Sequence, residues 1–226
     1  MVVAALPMSG SSVDPTPWKI KAVLFDMDGT LISNTYPFEA VRAEVLGLLS
    51  EIGIFVPKKA YRSIADLLEH VKLEHRASYD GVKERIYSVL TEYDELANRN
   101  SQLRSGAADV LLSVKAKRCK MGVISNSSLK VVVDTLQRLG VLQLFDVALA
   151  RESVERIKPF PDLVLAACQK LAEEPFHTLV VGDSWVDIEA GNAAKAKTVY
   201  LKVREPAFRV EPCVEITELS QLLKYL

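Results

Sequence analysis

The 226-residue chain has few cysteines and no cysteine pattern typical of a metal site. Cys119, Cys168 and Cys213 are far apart and form no CxxC pair, which argues against zinc and predicts three buried, reduced thiols. No apolar run reaches the roughly 18 residues of a membrane span. The apolar N-terminal run is short, is interrupted by Pro7 and follows no Lys or Arg. The sequence therefore predicts a cytoplasmic protein with no membrane partner.

The chain also lacks an excess of charge of either sign. It has 28 Lys and Arg against 29 Asp and Glu, a formal net charge of -1. Proteins that bind nucleic acid usually carry a basic excess, because contacts to phosphates supply much of their affinity. Nucleic acid is therefore not expected as a partner. Hydrophobic residues make up 49% of the chain, which excludes extensive disorder.

Short apolar segments alternate with helical patterns along most of the chain. The segments rich in β-branched residues, which predict buried strands, are residues 20–25, 121–124, 147–150, 179–181 and 198–201. Alternating strands and helices are typical of parallel βαβ units, so the sequence predicts an α/β protein with helices on both faces of a parallel sheet. Residues 37–98 show only helical spacing. They predict a helical insertion after the first strand.

Polar side chains follow three of the predicted strands. Asp26 and Asp28 follow the first, Ser125 and Asn126 follow the second, and Asp183, with Asp187 four positions later, follows the strand at 179–181. Ligands of open parallel sheets bind beyond the carboxyl ends of the strands. Carboxylates that converge there repel one another unless a cation compensates, and oxygen ligands suit a hard ion. The sequence predicts a magnesium (Mg2+) site.

Lys158, followed by Pro159, lies between the second and third of these polar segments. A lysine beside a proline is usually a solvated loop residue. The position of Lys158 in the chain favours a different interpretation, in which a fixed ammonium group neutralises a phosphoryl oxygen.

These residues together resemble the haloacid dehalogenase-like (HAD) hydrolase superfamily, and within it the phosphoglycolate phosphatase-like branch with a helical cap. The resemblance begins near Lys19 and spans nearly all of the remaining chain. It is carried by the ordered set Asp26-Met27-Asp28-Gly29-Thr30-Leu31, Ser125-Asn126, Lys158-Pro159 and Gly182-Asp183-Ser184 with Asp187, Ile188 and Gly191. One departure is Ala194-Lys195-Ala196, where the family usually has Ala-Gly.

The resemblance implies a Rossmann-like core and phosphoryl transfer through an aspartyl phosphate. Asp26 would be the nucleophile, and Asp28 the general acid and then the general base. Ser125, the amide of Asn126 and Lys158 would bind the phosphoryl group. Magnesium would be held by the Asp26 carboxylate, the Asp28 carbonyl and the Asp183 carboxylate, with support from Asp187.

Three alternatives stay open beside a magnesium-dependent phosphatase for a small phosphorylated metabolite. A sugar phosphomutase is disfavoured because such enzymes usually carry Glu-Asp where this chain has Gly182-Asp183. A signalling receiver domain is disfavoured because it phosphorylates an aspartate on a later strand and has no helical insertion. A non-catalytic phosphate-binding protein on the same fold is the third alternative.

The predicted organisation has three parts. Residues 1–18 form a flexible N-terminal extension, residues 19–35 and 104–226 form the Rossmann-like catalytic core, and residues 36–103 form the helical cap. We expect a monomer or a homodimer. The sequence does not identify the substrate, because phosphoglycolate-like compounds, sugar phosphates and nucleotides are all compatible with the motifs.

Overall fold

In a computed structural model, residues 18–56, 61–203 and 210–226 of the chain are described. The bounds of the strands are β1 Ala22–Phe25, β2 Ile32–Ser33, β3 Gln102–Leu103, β4 Lys120–Ile124, β5 Val147–Leu149, β6 Thr178–Gly182, β7 Lys197–Leu201 and β8 Val214–Ile216. Six parallel strands form one sheet in the order β5-β4-β1-β6-β7-β8, and two short strands, β2 and β3, form an antiparallel pair. The prediction of a parallel α/β sheet is confirmed, whereas β2, β3 and β8 were not predicted.

Helices cover both faces of this sheet. The helices are α1 Phe38–Glu51, α2 Ile64–Glu74, α3 Tyr79–Asn98, α4 Ala107–Ala116, α5 Leu129–Arg138, α6 Asp162–Leu171 and α7 Trp185–Ala193. Side chains of a strand alternate between the two faces. Val23 and Phe25 of β1 therefore join one hydrophobic cluster, with α4 and α5, while Ala22 and Leu24 join a second, with α6 and α7. Every residue of β1 is buried, as expected for a central parallel strand.

The insertion after β1 contains α1, α2 and α3, as its helical spacing predicts. Apolar side chains of these helices pack in a third hydrophobic cluster, which Ile157 of the chain after β5 also joins. The β2–β3 pair, with Ile32 opposite Leu103, connects the two ends of the insertion. The division into core and cap at residues 36–103 stays a prediction.

Two details differ from the sequence interpretation. Cys168 is buried, but Cys119 is only partly buried and Cys213 is exposed, so the expectation of three buried thiols was wrong. After α7, Lys195 adopts a left-handed conformation with φ of 63°, at the point where the family pattern has glycine. A lysine thus ends this helix in the conformation that glycine adopts most readily.

The predicted flexible extension falls outside the described residues except for Trp18, whose ring centroid lies 5.3 Å from that of Tyr225. None of the helices in the described ranges has both the length and the apolar character needed to cross a bilayer.

Candidate active site

The sheet order brings three of the predicted polar segments to one edge. β1 lies between β4 and β6, and Phe25 is in register with Val123 of β4 and Val181 of β6. The chain after each of these strands therefore leaves the sheet at the same end. Asp26, Ser125 and Asp183 lie there, and all three are buried.

Lys158 connects two of the aspartates. Its Nζ atom donates hydrogen bonds to Asp26 Oδ1 at 2.7 Å and to Asp187 Oδ1 at 2.6 Å, and its side chain is 1% exposed. Burial opposes the charge of this ammonium group, but the carboxylates of Asp187 and Asp26 outweigh that effect and raise the pKa of Lys158. Lys158 is therefore a buried cation at this edge and not a solvated loop residue.

Asp26, Asp183 and Asp187 form a buried acidic cluster, with one carboxylate oxygen of each within 4.8 Å of the others. Burial raises the pKa of Asp26 well above its usual value, and the neighbouring carboxylates add to this effect while Lys158 opposes it. Ionisation of all three carboxylates leaves two negative charges that Lys158 does not balance. A cluster of hard oxygen donors with this excess charge fits a divalent cation.

Two glycines allow the cluster to form. Gly29 has φ of 86°, and a Cβ atom there would lie 2.4 Å from Asp183 Oδ2; a Cβ atom on Gly182 would lie 2.3 Å from Asp187 Cβ. Any larger residue at either position would displace an acidic side chain.

Asp28 lies outside the acidic cluster and accepts four hydrogen bonds. Its Oδ1 accepts from the side-chain amides of Asn34 at 2.6 Å and Asn98 at 3.0 Å, and its Oδ2 accepts from the hydroxyls of Ser127 at 2.7 Å and Ser125 at 3.3 Å. Two donors thus come from the core and two from the segment between β2 and the end of α3. These contacts fix the carboxylate in one orientation.

Asn126 connects the chain after β4 to Lys158. Its Nδ2 donates to the Lys158 carbonyl at 2.9 Å, and its Oδ1 accepts from the Lys158 backbone N–H at 3.0 Å. The Asn126 side chain therefore holds the backbone of Lys158, and the sequence prediction of phosphoryl binding concerns only the backbone amide of Asn126.

A cavity of about 360 Å³ lies between this edge of the sheet and the inserted helices. All seven predicted site residues line it, together with residues of the insertion. At its margin the Arg62 guanidinium group lies 3.8 Å from the ring centroid of Trp185 and donates to Glu189 Oε1 at 3.0 Å. The insertion thus contributes one wall of the cavity.

Sequence reasoning missed the partners of Asp28. Asn34 lies just after β2, and Asn98 is the last residue of α3. The sequence did contain a signal for Asn98, because Ile86, Leu90, Asp94 and Asn98 follow one another at intervals of four. The structure shows that all four are buried. Polar residues at positions where the helical period places buried ones indicate a polar contact inside the protein.

Comparison with known proteins identifies the family of the chain. Residues 20–195 match the family model of the haloacid dehalogenase-like hydrolases. The chain is 27% identical over 189 residues to the N-acetylmuramic acid 6-phosphate phosphatase of Pseudomonas putida, which covers 81% of this chain and 83% of that protein. It is 30% identical over 187 residues to the phosphoglycolate phosphatase of Thiobacillus denitrificans, covering 79% and 81%.

A solved structure shows the same fold. A HAD phosphatase of Thermococcus onnurineus superimposes with a TM-score of 0.60 and 23% identity, over 91% of this chain and 97% of that one. The predictions of the family and of a hydrolase are confirmed, and the phosphatases among the relatives support an enzyme acting on phosphate esters. The chain belongs to the haloacid dehalogenase-like hydrolase family.

Proposed function

We propose that the protein is a magnesium-dependent phosphatase that hydrolyses a small phosphate monoester through an aspartyl-phosphate intermediate. The observation that carries this proposal is the pairing of Asp26 with the buried Lys158, beside an acidic cluster and within a cavity of about 360 Å³. The phosphatase relatives named above support the same reaction.

In the first step, Asp26 attacks the phosphorus atom with a carboxylate oxygen. A bond between that oxygen and phosphorus forms as the ester bond breaks, and the leaving oxygen takes a proton from the Asp28 carboxyl group. The Ser125 hydroxyl and the Asn126 amide hold phosphoryl oxygens, and Lys158 balances the charge of substrate and nucleophile. The products are a free alcohol and Asp26 phosphate.

In the second step, water attacks the phosphorus atom of the aspartyl phosphate. Asp28 takes a proton from this water, inorganic phosphate leaves, and the Asp26 carboxylate is restored. Because Asp28 accepts hydrogen bonds on both oxygens in the structure, it is oriented for the base role. Before the first step, the hydroxyls of Ser125 and Ser127 can rotate to accept a hydrogen bond from the protonated Asp28 carboxyl group, which then gives its proton to the leaving oxygen.

Asp26, Asp183 and the Asp28 carbonyl would hold Mg2+, with Asp187 beside them. Asp187 has both carboxylate oxygens engaged, by Lys158 Nζ and by the Ser184 backbone N–H at 3.1 Å, which suits a supporting position better than a direct ligand. The ion would supply positive charge to a phosphoryl group that approaches a set of carboxylates.

Residues 36–103 would form a cap that selects the substrate and excludes water. The insertion contributes Tyr36, Arg42, Arg62 and Leu90, among others, to the cavity wall. A panel of phosphorylated metabolites, assayed for released phosphate, tests the function and should include phosphoglycolate and sugar 6-phosphates. Formation of an isomeric sugar phosphate without phosphate release would favour a phosphomutase instead.

Removal of divalent ions is expected to lower turnover on the order of a thousandfold, because a bound ion contributes several kcal/mol of transition-state stabilisation at a phosphoryl group. Phosphate release is measured after exhaustive chelation and again after magnesium is restored. Full activity in the chelated enzyme would contradict the proposed role of the ion, as would a loss that magnesium does not reverse in protein that is still folded.

Lys158→Ala is expected to lower kcat at least tenfold, about 1.4 kcal/mol in the barrier, because a buried compensating charge is lost beside the nucleophile. Lys158→Met, which keeps most of the side-chain volume, separates the charge from the packing. Lys130→Ala is the control, since Lys130 is exposed and pairs only with surface carboxylates of Glu95 and Asp134 in the contacts described. A wild-type rate in folded Lys158→Met would show that the charge is dispensable.

A further inference from the structure

The buried face of α3 changes from apolar to polar toward its C-terminal end. Tyr79, Val82, Ile86 and Leu90 pack in the hydrophobic cluster of the insertion. The next buried positions are Asp94, which is 2% exposed, and Asn98, which is 3% exposed. Asn98 contacts Asp28, as described above. Asp94 contacts a residue that the proposed mechanism does not use.

That residue is Arg151, in the short turn after β5, with a side chain that is fully buried. One terminal nitrogen donates to Asp94 Oδ2 at 2.5 Å and to the Asn126 carbonyl at 3.1 Å. The other donates to the Thr91 hydroxyl at 2.5 Å and to the Tyr87 carbonyl at 3.2 Å. Arg151 therefore joins three positions on α3 to the chain after β4.

Asp94 contacts the same loop directly. Its Oδ2 accepts a hydrogen bond from the Ser128 backbone N–H at 3.0 Å, at the N-cap of α5. The other acidic neighbour of Arg151 is Glu152, whose Oε1 lies 3.5 Å from Nε and whose side chain is 43% exposed. The Asp94–Arg151 ion pair thus contacts the loop 126–128 at two backbone atoms, one at each end.

We propose that the Asp94–Arg151 pair is a positioning element that holds the loop 126–128 in the geometry required to bind the phosphoryl group. This inference rests on the proposed function, in which the loop supplies the Asn126 amide. Asn126 also fixes the backbone of Lys158 through two hydrogen bonds, so a displaced loop would move the catalytic lysine as well. Because Asp94 lies on α3 and Arg151 follows β5, the productive geometry requires α3 to be packed against the chain segments that follow β4 and β5.

If the Asp94–Arg151 pair only stabilised the fold, a variant in which both residues are replaced by apolar ones would keep its activity. Replacing a buried ion pair by apolar residues of similar volume often leaves stability unchanged or raises it, whereas removing one partner leaves a buried charge unpaired. Asp94→Leu combined with Arg151→Met removes both charges and also the contacts to Asn126 and Ser128. Measuring both stability and turnover of this double variant therefore separates a stabilising role of the pair from a positioning role.

The first experiment compares kcat, KM and thermal unfolding of the wild type, Asp94→Asn, the Asp94→Leu/Arg151→Met double variant and Ile86→Ala, with an aryl phosphate as substrate. Ile86→Ala is a matched control on the buried face of α3, away from the loop. We expect both Asp94 variants to lose at least about tenfold in kcat with a smaller change in KM, since misplaced catalytic groups affect the transition state most. We expect Ile86→Ala to lower only the unfolding temperature.

Recovery of kcat together with stability in the double variant would overturn the proposal and leave the pair a structural role. Hydrogen exchange of the peptide containing residues 125–131 gives a readout that needs no activity. We expect faster exchange there in Asp94→Asn but not in Ile86→Ala. If the wild-type protein hydrolyses no phosphate ester, the proposed function fails, whereas unchanged exchange at this loop in Asp94→Asn overturns the positioning role by itself.

Discussion

Asp26→Asn is expected to reduce turnover on the order of 10⁵-fold or more, the scale of loss seen when a covalent nucleophile is removed. The amide nitrogen and oxygen of asparagine do not attack phosphorus at a useful rate, so neither half of the reaction can begin. Turnover is measured with an aryl phosphate, whose phenolate product is detected directly. The variant keeps a hydrogen-bond acceptor for Lys158, which donates to Asp26 Oδ1 in the wild type, so the fold should persist.

Asp134→Asn is a matched control for this experiment, because Asp134 is an exposed aspartate of α5 that pairs with Lys130 across one helical turn. It should keep wild-type turnover. In the wild-type enzyme, rapid quenching during turnover followed by peptide mapping should locate the phosphoryl group on Asp26. A label on any other residue, or substantial turnover by Asp26→Asn, would contradict the assignment of the nucleophile.

The polar residues at the carboxyl edge of the sheet could be predicted from the sequence, because each of them directly follows an apolar strand. An apolar strand that ends abruptly at Asp26, Ser125 or Asp183 indicates both the end of the strand and the chemistry beyond it. Parallel strands then bring these ends together through topology, and the observed pairing of β1 with β4 and β6 does this. No knowledge of side-chain packing was needed for that step.

The contacts between the insertion and the core could not be predicted in the same way. The Asn98 amide reaches Asp28 across 70 residues, and Arg151 reaches Asp94 across 57. Such pairs depend on how α3 packs against the chain segments that follow β4 and β5. Periodicity identifies the buried face of a helix without identifying what that face contacts. A buried arginine also gives no sign in its own segment, since it looks like an ordinary loop residue.

The end of α7 shows a related limit. The family usually has a glycine near this position, whereas this chain has Lys195, which itself adopts a positive φ of 63°. A left-handed conformation is strained for a residue with a Cβ atom but not forbidden. Lys195 therefore adopts, at the connection from α7 to β7, a conformation that costs a residue with a Cβ atom more than it costs glycine.

Asp28→Asn is expected to separate the two halves of the reaction, because Asp28 and Asp26 have different tasks. With an aryl phosphate the leaving group departs without protonation, so Asp26 can still attack. The second half needs a base to deprotonate water, and the variant lacks one. The aspartyl phosphate should therefore accumulate, with a burst of phenolate near one equivalent per site and steady-state turnover at least about a hundredfold lower, since general acid–base groups contribute 10²–10⁴-fold.

An alkyl phosphate provides the contrast, because its alkoxide must be protonated as it leaves. This substrate should therefore give little burst.

The surroundings of Asp28 allow asparagine to replace it without loss of the local hydrogen bonds. The asparagine oxygen can still accept from Asn34 and Asn98, and its amide can donate to Ser127, whose hydroxyl now accepts. Rapid-quench mass spectrometry measures the phosphorylated chain, and calorimetry checks that magnesium still binds. Equal losses on both substrates with no trapped intermediate, in a variant that binds magnesium, would show that Asp28 is not the proton donor and acceptor.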